Sequence, residues 1–269
     1  MFSVVKTRTA GVRRIAKHAG MFVGLVAALG VAHPAPQNPP APPARIDPNA
    51  QGLLDRTIKT LGGPAFLNFK RLTTRGRTYA IAAEATAGLA PFQSYVEYPD
   101  KRRFAYGKKE PVILINNGER AAEIDKYGMT HQLPSQVERW KLFTRYSLEN
   151  LLRIHIHDPG LLVQVAGVDF VDNVPTKGIE IIESGGATVR LDLQQQTYLP
   201  IRISYRVQNP KTREWDEYAD VYGDYRNVQG VMTPMHITRF QNGDRVGETF
   251  RNYARYDEDY PPNYFQLGG

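Results

Sequence analysis

The sequence predicts a mainly β fold with a smaller helical part: a long antiparallel sheet covered by an N-terminal helix and a mid-chain helical insertion. Three observations carry this. Residues 188–257 read as consecutive strands with little between them. In VRLDLQ and LPIRISYRV, Val189, Leu191, Leu193, Ile201, Ile203, Tyr205 and Val207 alternate with Arg190, Asp192, Arg202, Ser204 and Arg206, the period of a strand with one dry face. Asn117-Gly118 and Asn242-Gly243 tolerate the positive φ that tight hairpins need. Helical spacing is confined to residues 48–69 and 135–154.

Taken in order, residues 1–32 have the form of a secretory signal. Lys6, Arg8, Arg13, Arg14 and Lys17 precede an apolar run over 21–29, and Gly30-Val31-Ala32 supplies small residues for cleavage. A membrane anchor is the alternative, but the uncharged run falls short of the about 20 residues a span needs. The chain carries 34 basic and 27 acidic residues. Removing the leader's five basic residues leaves 29 against 27, a net +2, so the overall +7 gives no reason to expect a nucleic-acid partner. Residues 33–47, in the run HPAPQNPPAPPARIDP, read as an extended spacer that joins neither ladder nor helix. Residues 48–269 have the length and apolar content of one domain.

Leu53, Leu54, Ile58 and Leu61 place a helix over 48–61, with Asp47 or Asn49 to cap it and Gly62-Gly63-Pro64 to stop it. A short turn over 65–69 adds Phe66, Leu67 and Phe69. Strands follow over 72–85, with Tyr79, Ile81 and Ala83 on one face, then over 92–98, paired back across Gly88, and over 103–106. Residues 112–125 form a hairpin about Asn117-Gly118, and 127–132 add a short strand. Ser135-Gln136-Val137-Glu138 has capping-box spacing. Val137, Trp140 and Phe143, then Leu148, Leu151 and Leu152, form two apolar stripes, read as two short helices. Strands over 162–171 and 178–183 lead through Gly185-Gly186 into the final run, for about eleven strands in all.

Catalytic chemistry finds little support. His155-Ile156-His157-Asp158 has metal-ligand residue types, but a third ligand would have to come from His131 or His236. The plainer reading is a helix-to-strand junction with solvated histidines. Neither a Gly-x-Ser-x-Gly elbow, a phosphate-binding glycine loop nor a His-Glu-x-x-His helix occurs. Glu214, Asp216, Glu217 and Asp220 read as a solvated strand edge. The aromatic tail from Tyr253 to Phe265 suits either stacking on bases or sugars or plugging a barrel end. With no cysteine, disulfides, thiolate chemistry and lipid attachment at an N-terminal cysteine are excluded. The chain is therefore expected to be non-enzymatic, without cofactor or metal.

The order of several weak motifs resembles the periplasmic lipoprotein carrier and outer-membrane lipoprotein-sorting superfamily, called LolA-like. These are the helix ending Leu61-Gly62-Gly63; VEYPDKRRF over 96–104; residues 113–118 before a short strand; the helical insertion; Val189-Arg190-Leu191-Asp192 leading to Leu199-Pro200-Ile201-Arg202; and YRNVQGV over 225–231 with Pro234. The likeness spans residues 49–267. It implies a curved, unclosed antiparallel half-barrel whose apolar concave face holds acyl chains beneath helices, and a fold shared with sensors of envelope stress. The chain differs where carriers place an aromatic, having Arg102 two residues before Phe104 and Ala122 after the Asn-Gly hairpin.

The resulting expectation is a monomeric periplasmic carrier for a lipid or lipoprotein acyl chain, with its leader cleaved. Its cavity would be lined by Tyr79, Ile81, Tyr95, Phe104, Ile113, Ile115, Leu191, Ile201, Ile203 and Met235, with Trp140 and Phe143 on a lid. Each of these also suits an ordinary filled core. The alternatives are a protein-interaction module whose sheet edges bind envelope membrane proteins and, last, an enzyme using His155 and His157.

Overall fold

The computed structural model describes residues 41–209 and 212–267. The leader and most of the proline spacer lie outside them. The elements in chain order are β1 (Arg45–Ile46), α1 (Pro48–Leu61), α2 (Pro64–Asn68), β2 (Arg71–Ala82), β3 (Ala85–Glu97), β4 (Lys101–Tyr106), β5 (Val112–Asn117), β6 (Arg120–Asp125), β7 (Gly128–His131), α3 (Pro134–Arg145), α4 (Leu148–Arg153), a 3-10 turn (His155–His157), β8 (Leu162–Val171), β9 (Val174–Ile182), β10 (Thr188–Gln194), β11 (Pro200–Gln208), β12 (Trp215–Val228), β13 (Val231–Gln241) and β14 (Asp244–Tyr256). The strands form a single curved, unclosed sheet in the order β1-β8-β9-β10-β11-β12-β13-β14-β2-β3-β4-β5-β6-β7.

That order explains the helical insertion. The last strand, β14, returns to pair with β2, so the two halves of the chain meet at a central seam. Strand β7 then lies at one edge of the sheet and β8 near the other. The chain must cross the sheet between them, and α3 and α4 are that crossing.

Helix α1 forms over the expected residues. Asp47 Oδ1 accepts from the amides of Asn49 and Ala50 at 2.8 and 3.2 Å, satisfying donors that the first turn leaves free. Gly62, at φ 128°, closes the helix with its N–H on the Lys59 carbonyl. Helix α3 starts differently from the expectation. Pro134 takes the first position, where its missing N–H costs nothing, and Gln136 Oε1 accepts from Leu133 N at 2.8 Å. Ser135 is thus inside the helix rather than its cap.

Fourteen described strands replace about eleven. Arg45–Ile46 pairs parallel with Leu162 and Val163, so the end of the spacer does join the ladder: prolines stop at Pro43, and the residues after it have free N–H donors. The β2–β3 turn lies at Ala83-Glu84, both at positive φ, and Gly88 sits within β3 opposite Ala80. Asp172-Asn173, also both at positive φ, turn β8 into β9 and start β9 four residues earlier than expected.

Two packed regions hold the sheet. On its inner face, α1, α2 and α4 bring Leu53, Leu54, Leu61, Phe66, Leu148, Leu151 and Leu152 onto Val189, Leu191, Leu193, Ile203 and Tyr205. On the outer face of the other half, the tail lays Tyr260, Tyr264, Phe265 and Leu267 over Ile115, Ala122, Tyr95, Ile113 and Ile124. Tyr260 donates to the Val96 carbonyl, and Asn117 Nδ2 donates to that of Phe265. The aromatic tail therefore seals the back of the sheet and does not plug an end. Also on the outer face, fully buried Asp192 accepts from Arg190 Nε at 2.8 Å and Arg202 Nε at 2.7 Å. Arg202 reaches on to Asp169 of β8 at 3.1 Å, tying three strands together.

Candidate ligand-binding cavity

Strand register fixes which side chains face the helices. Pairing of Thr74 with Ser94, Ser94 with Phe104 and Phe104 with Leu114 puts these on one face, and Leu72, Val96, Arg102 and Asn116 form the next row on that face. Across the seam, Ile237, Arg239, Asp220 and Tyr222 join them. Helices α1, α2 and α4 fill the inner face over β9–β11 but leave this half open. The inner face of this half carries a cavity with two lobes: one of about 420 Å³ lies between the sheet and α3, and the other, of about 660 Å³, is lined by strand residues alone. Both lobes share Thr74, Ser94, Leu114 and Ile237 with three arginines, Arg102, Arg239 and Arg251. Trp140, Phe143 and Leu148 roof the smaller lobe, while Phe92, Phe104 and Tyr106 line the larger.

The arginines are unequal. Arg239 grips Asp220 with two parallel hydrogen bonds of 2.8 and 2.9 Å, and the carboxylate raises its pKa above the ordinary arginine range. Its guanidinium also sits 5.0 Å from the Phe143 ring. Arg251 donates one bond to the Pro234 carbonyl at 3.0 Å, but its Nε has no protein partner. Arg102 lies deep in the protein and faces the cavity. Burial foremost, then the charge of Arg239, pushes its pKa down to about 10, so it stays charged at neutral pH. Its Nε is unpartnered, and so are the Oδ1 atoms of the buried lining residues Asn116 and Asn150.

No protein-family model matches the chain, and no curated protein matches it in sequence. Solved structures do match. A DUF1329 family protein from Desulfovibrio piger aligns with 81% of this chain and 97% of its own at TM-score 0.56 and 11% identity. A LolA superfamily protein from Nitrosomonas europaea covers the same shares at TM-score 0.51 and 13% identity. This chain has a LolA-like fold.

Within the LolA-like fold, the residues singled out from sequence separate into groups. Phe104, Trp140 and Phe143 border the cavity, while Tyr79 lies at the larger lobe with its ring on the other face, 5.7 Å from that of Phe250. Leu191 and Ile203 are packed solid beneath the helices. Tyr95, Ile113 and Ile115 point to the opposite face, under the tail. Ile81, Ile201 and Met235 border neither lobe. Sequence reasoning missed Thr74, Ser94, Asn116, Arg239 and Arg251. It noted Arg102 only as a departure, although alternation with Phe104 places it on the same face.

The histidines sit elsewhere. His155 and His157 lie on the 3-10 turn after α4, at a helix-to-strand junction as expected. His155 Nδ1 is 2.9 Å from Asp158 and 3.0 Å from Arg145, which also binds Glu183. Among the described residues no three His, Asp or Glu side chains gather as metal ligands.

Proposed function

We propose that this protein is a non-catalytic periplasmic binding or carrier protein. It holds an acyl chain of a lipid or lipoprotein in the cavity beneath α3 and serves lipid or lipoprotein trafficking in the cell envelope. The observation that carries this is the two-lobed cavity itself, which has the volume of a ligand site and aromatic walls built by residues from both halves of the sheet. The LolA-like fold and the form of the leader support the location. Burying a methylene contributes about 0.8 kcal/mol. About ten methylenes therefore contribute about 8 kcal/mol before binding costs, near micromolar affinity.

Native mass spectrometry tests the proposal. Mature protein isolated from an envelope extract is expected to carry one amphiphile per chain, or to take one up from added fatty acid. A protein that stays at its bare mass under both conditions would refute the carrier reading.

One observation favours the second reading, an interaction module. Beyond Val163, β8 is an open edge with Val165, Val168 and Phe170 exposed, which suits strand addition by a partner.

A further inference from the structure

The charges around the cavity do not balance. The smaller lobe is lined by Lys101, Arg102, Arg139, Arg239 and Arg251 against Glu149 and Asp220. Lys101 is taken by Glu97 at 2.6 Å and Arg239 by Asp220. Glu149 forms no ion pair with the rest. The larger lobe adds one acid, Glu248, already bound to Arg245 at 3.0 Å. Arg139 is exposed on α3, which leaves Arg102 and Arg251 as partly buried cations without a carboxylate.

A guanidinium partly withdrawn from water without a counter-ion is costly. At position 102 an apolar side chain would suit the strand and the neighbouring Phe104 ring, 5.3 Å from the guanidinium. An arginine there is explained if its counter-ion arrives with the ligand. From the unpaired arginines and their place on the wall shared by both lobes, we infer that the cavity binds an anionic group of its ligand, a carboxylate or a phosphate, through Arg102 assisted by Arg251. The planar guanidinium fork matches either oxyanion with two parallel hydrogen bonds. Asn116, paired with Arg102 across β4 and β5 and only 2% exposed, has only an acceptor, Oδ1, without a partner, which leaves the anion to the arginines. The ligand's chain then extends beneath Trp140, Phe143 and Leu148 in the smaller lobe. This rests on the amphiphile reading above and adds the head group to it.

The test compares laurate, dodecyl phosphate and dodecanol, which share a chain and differ in charge, with inorganic phosphate as the head group alone. Each is titrated into the wild-type protein and Arg102→Met. The wild type is expected to bind both charged amphiphiles roughly tenfold or more tightly than dodecanol, the scale of hydrogen bonds to a charged group. Arg102→Met is expected to bind all three alike and to melt no lower than the wild type, because it loses an unpaired cation. Equal wild-type affinities for charged and neutral chains, or a preference that survives in Arg102→Met, would overturn the inference and leave the carrier reading standing. Arg102-dependent binding of inorganic phosphate without any amphiphile would keep the anion site and refute the carrier reading. If no probe binds, both fall.

Discussion

Gly76→Val is expected to prevent the sheet from forming. Gly76 lies on β2 at the seam, opposite the bulge in β14 between Arg251 and Tyr253, where the bulged strand folds close over its neighbour. A Cβ at this position would land on the Phe250 carbonyl oxygen and 2.9 Å from the Arg251 Cα. These are backbone atoms, so no rotamer change relieves the clash and β14 must leave β2. Among the described strands, β14 with β2 is the pairing that joins β8–β14 to β2–β7. The expected cost is about 4 kcal/mol or more, the range of the most damaging single substitutions. Soluble yield and a thermal melt by circular dichroism would show it. Gly88→Ala is the control: its Cβ meets only the Ala80 Cβ, at 3.8 Å, and should cost less than about 1 kcal/mol.

Ser94→Phe is expected to leave the fold intact and weaken ligand binding about a hundredfold. Ser94 stands on the wall common to both lobes, between Thr74 and Phe104. A phenyl ring there grows into open space, which spares the packed core the strain that overpacking brings. Excluding about four methylenes of a bound chain forfeits about 3 kcal/mol, or on the order of a hundredfold in affinity. Titration with laurate measures the loss, and a urea melt checks the fold. Unchanged affinity would place the ligand elsewhere on the protein.

The elements were more legible than their faces. Helix α1 could be read residue by residue because Asp47, Pro48 and Gly62 each have a local physical role at its ends. In β10 and β11 alternation was clear because one face is packed and the other carries Arg190, Asp192 and Arg202. Strand β5 gave no such signal. Val112, Ile113, Leu114 and Ile115 are all apolar, since one side faces the cavity and the other the tail, and period 2 vanishes when both faces are covered. Choosing Ile113 and Ile115 over Leu114, and Tyr95 over Ser94, put the predicted lining on the wrong side, the consequence of a one-residue step in a strand. The turns at Ala83-Glu84 and Asp172-Asn173 lack the glycine that marks most such hairpins. Arg102 was legible in principle, because it lies two residues from Phe104. What hid it was the expectation that an acyl-chain cavity is lined by apolar side chains.

The most direct test of the account places a ligand in the cavity by its distance from one tryptophan. The chain has two tryptophans: Trp140 roofs the smaller lobe at 8% exposure, and Trp215 lies 48% exposed on β12. In a Trp215→Phe variant all tryptophan emission comes from Trp140. Titration with brominated laurate, whose bromine quenches on contact, is expected to give a saturating loss of emission at one equivalent, relieved by unlabelled laurate. Emission that is unchanged, or that falls linearly without saturation or relief, would contradict a ligand cavity beneath α3.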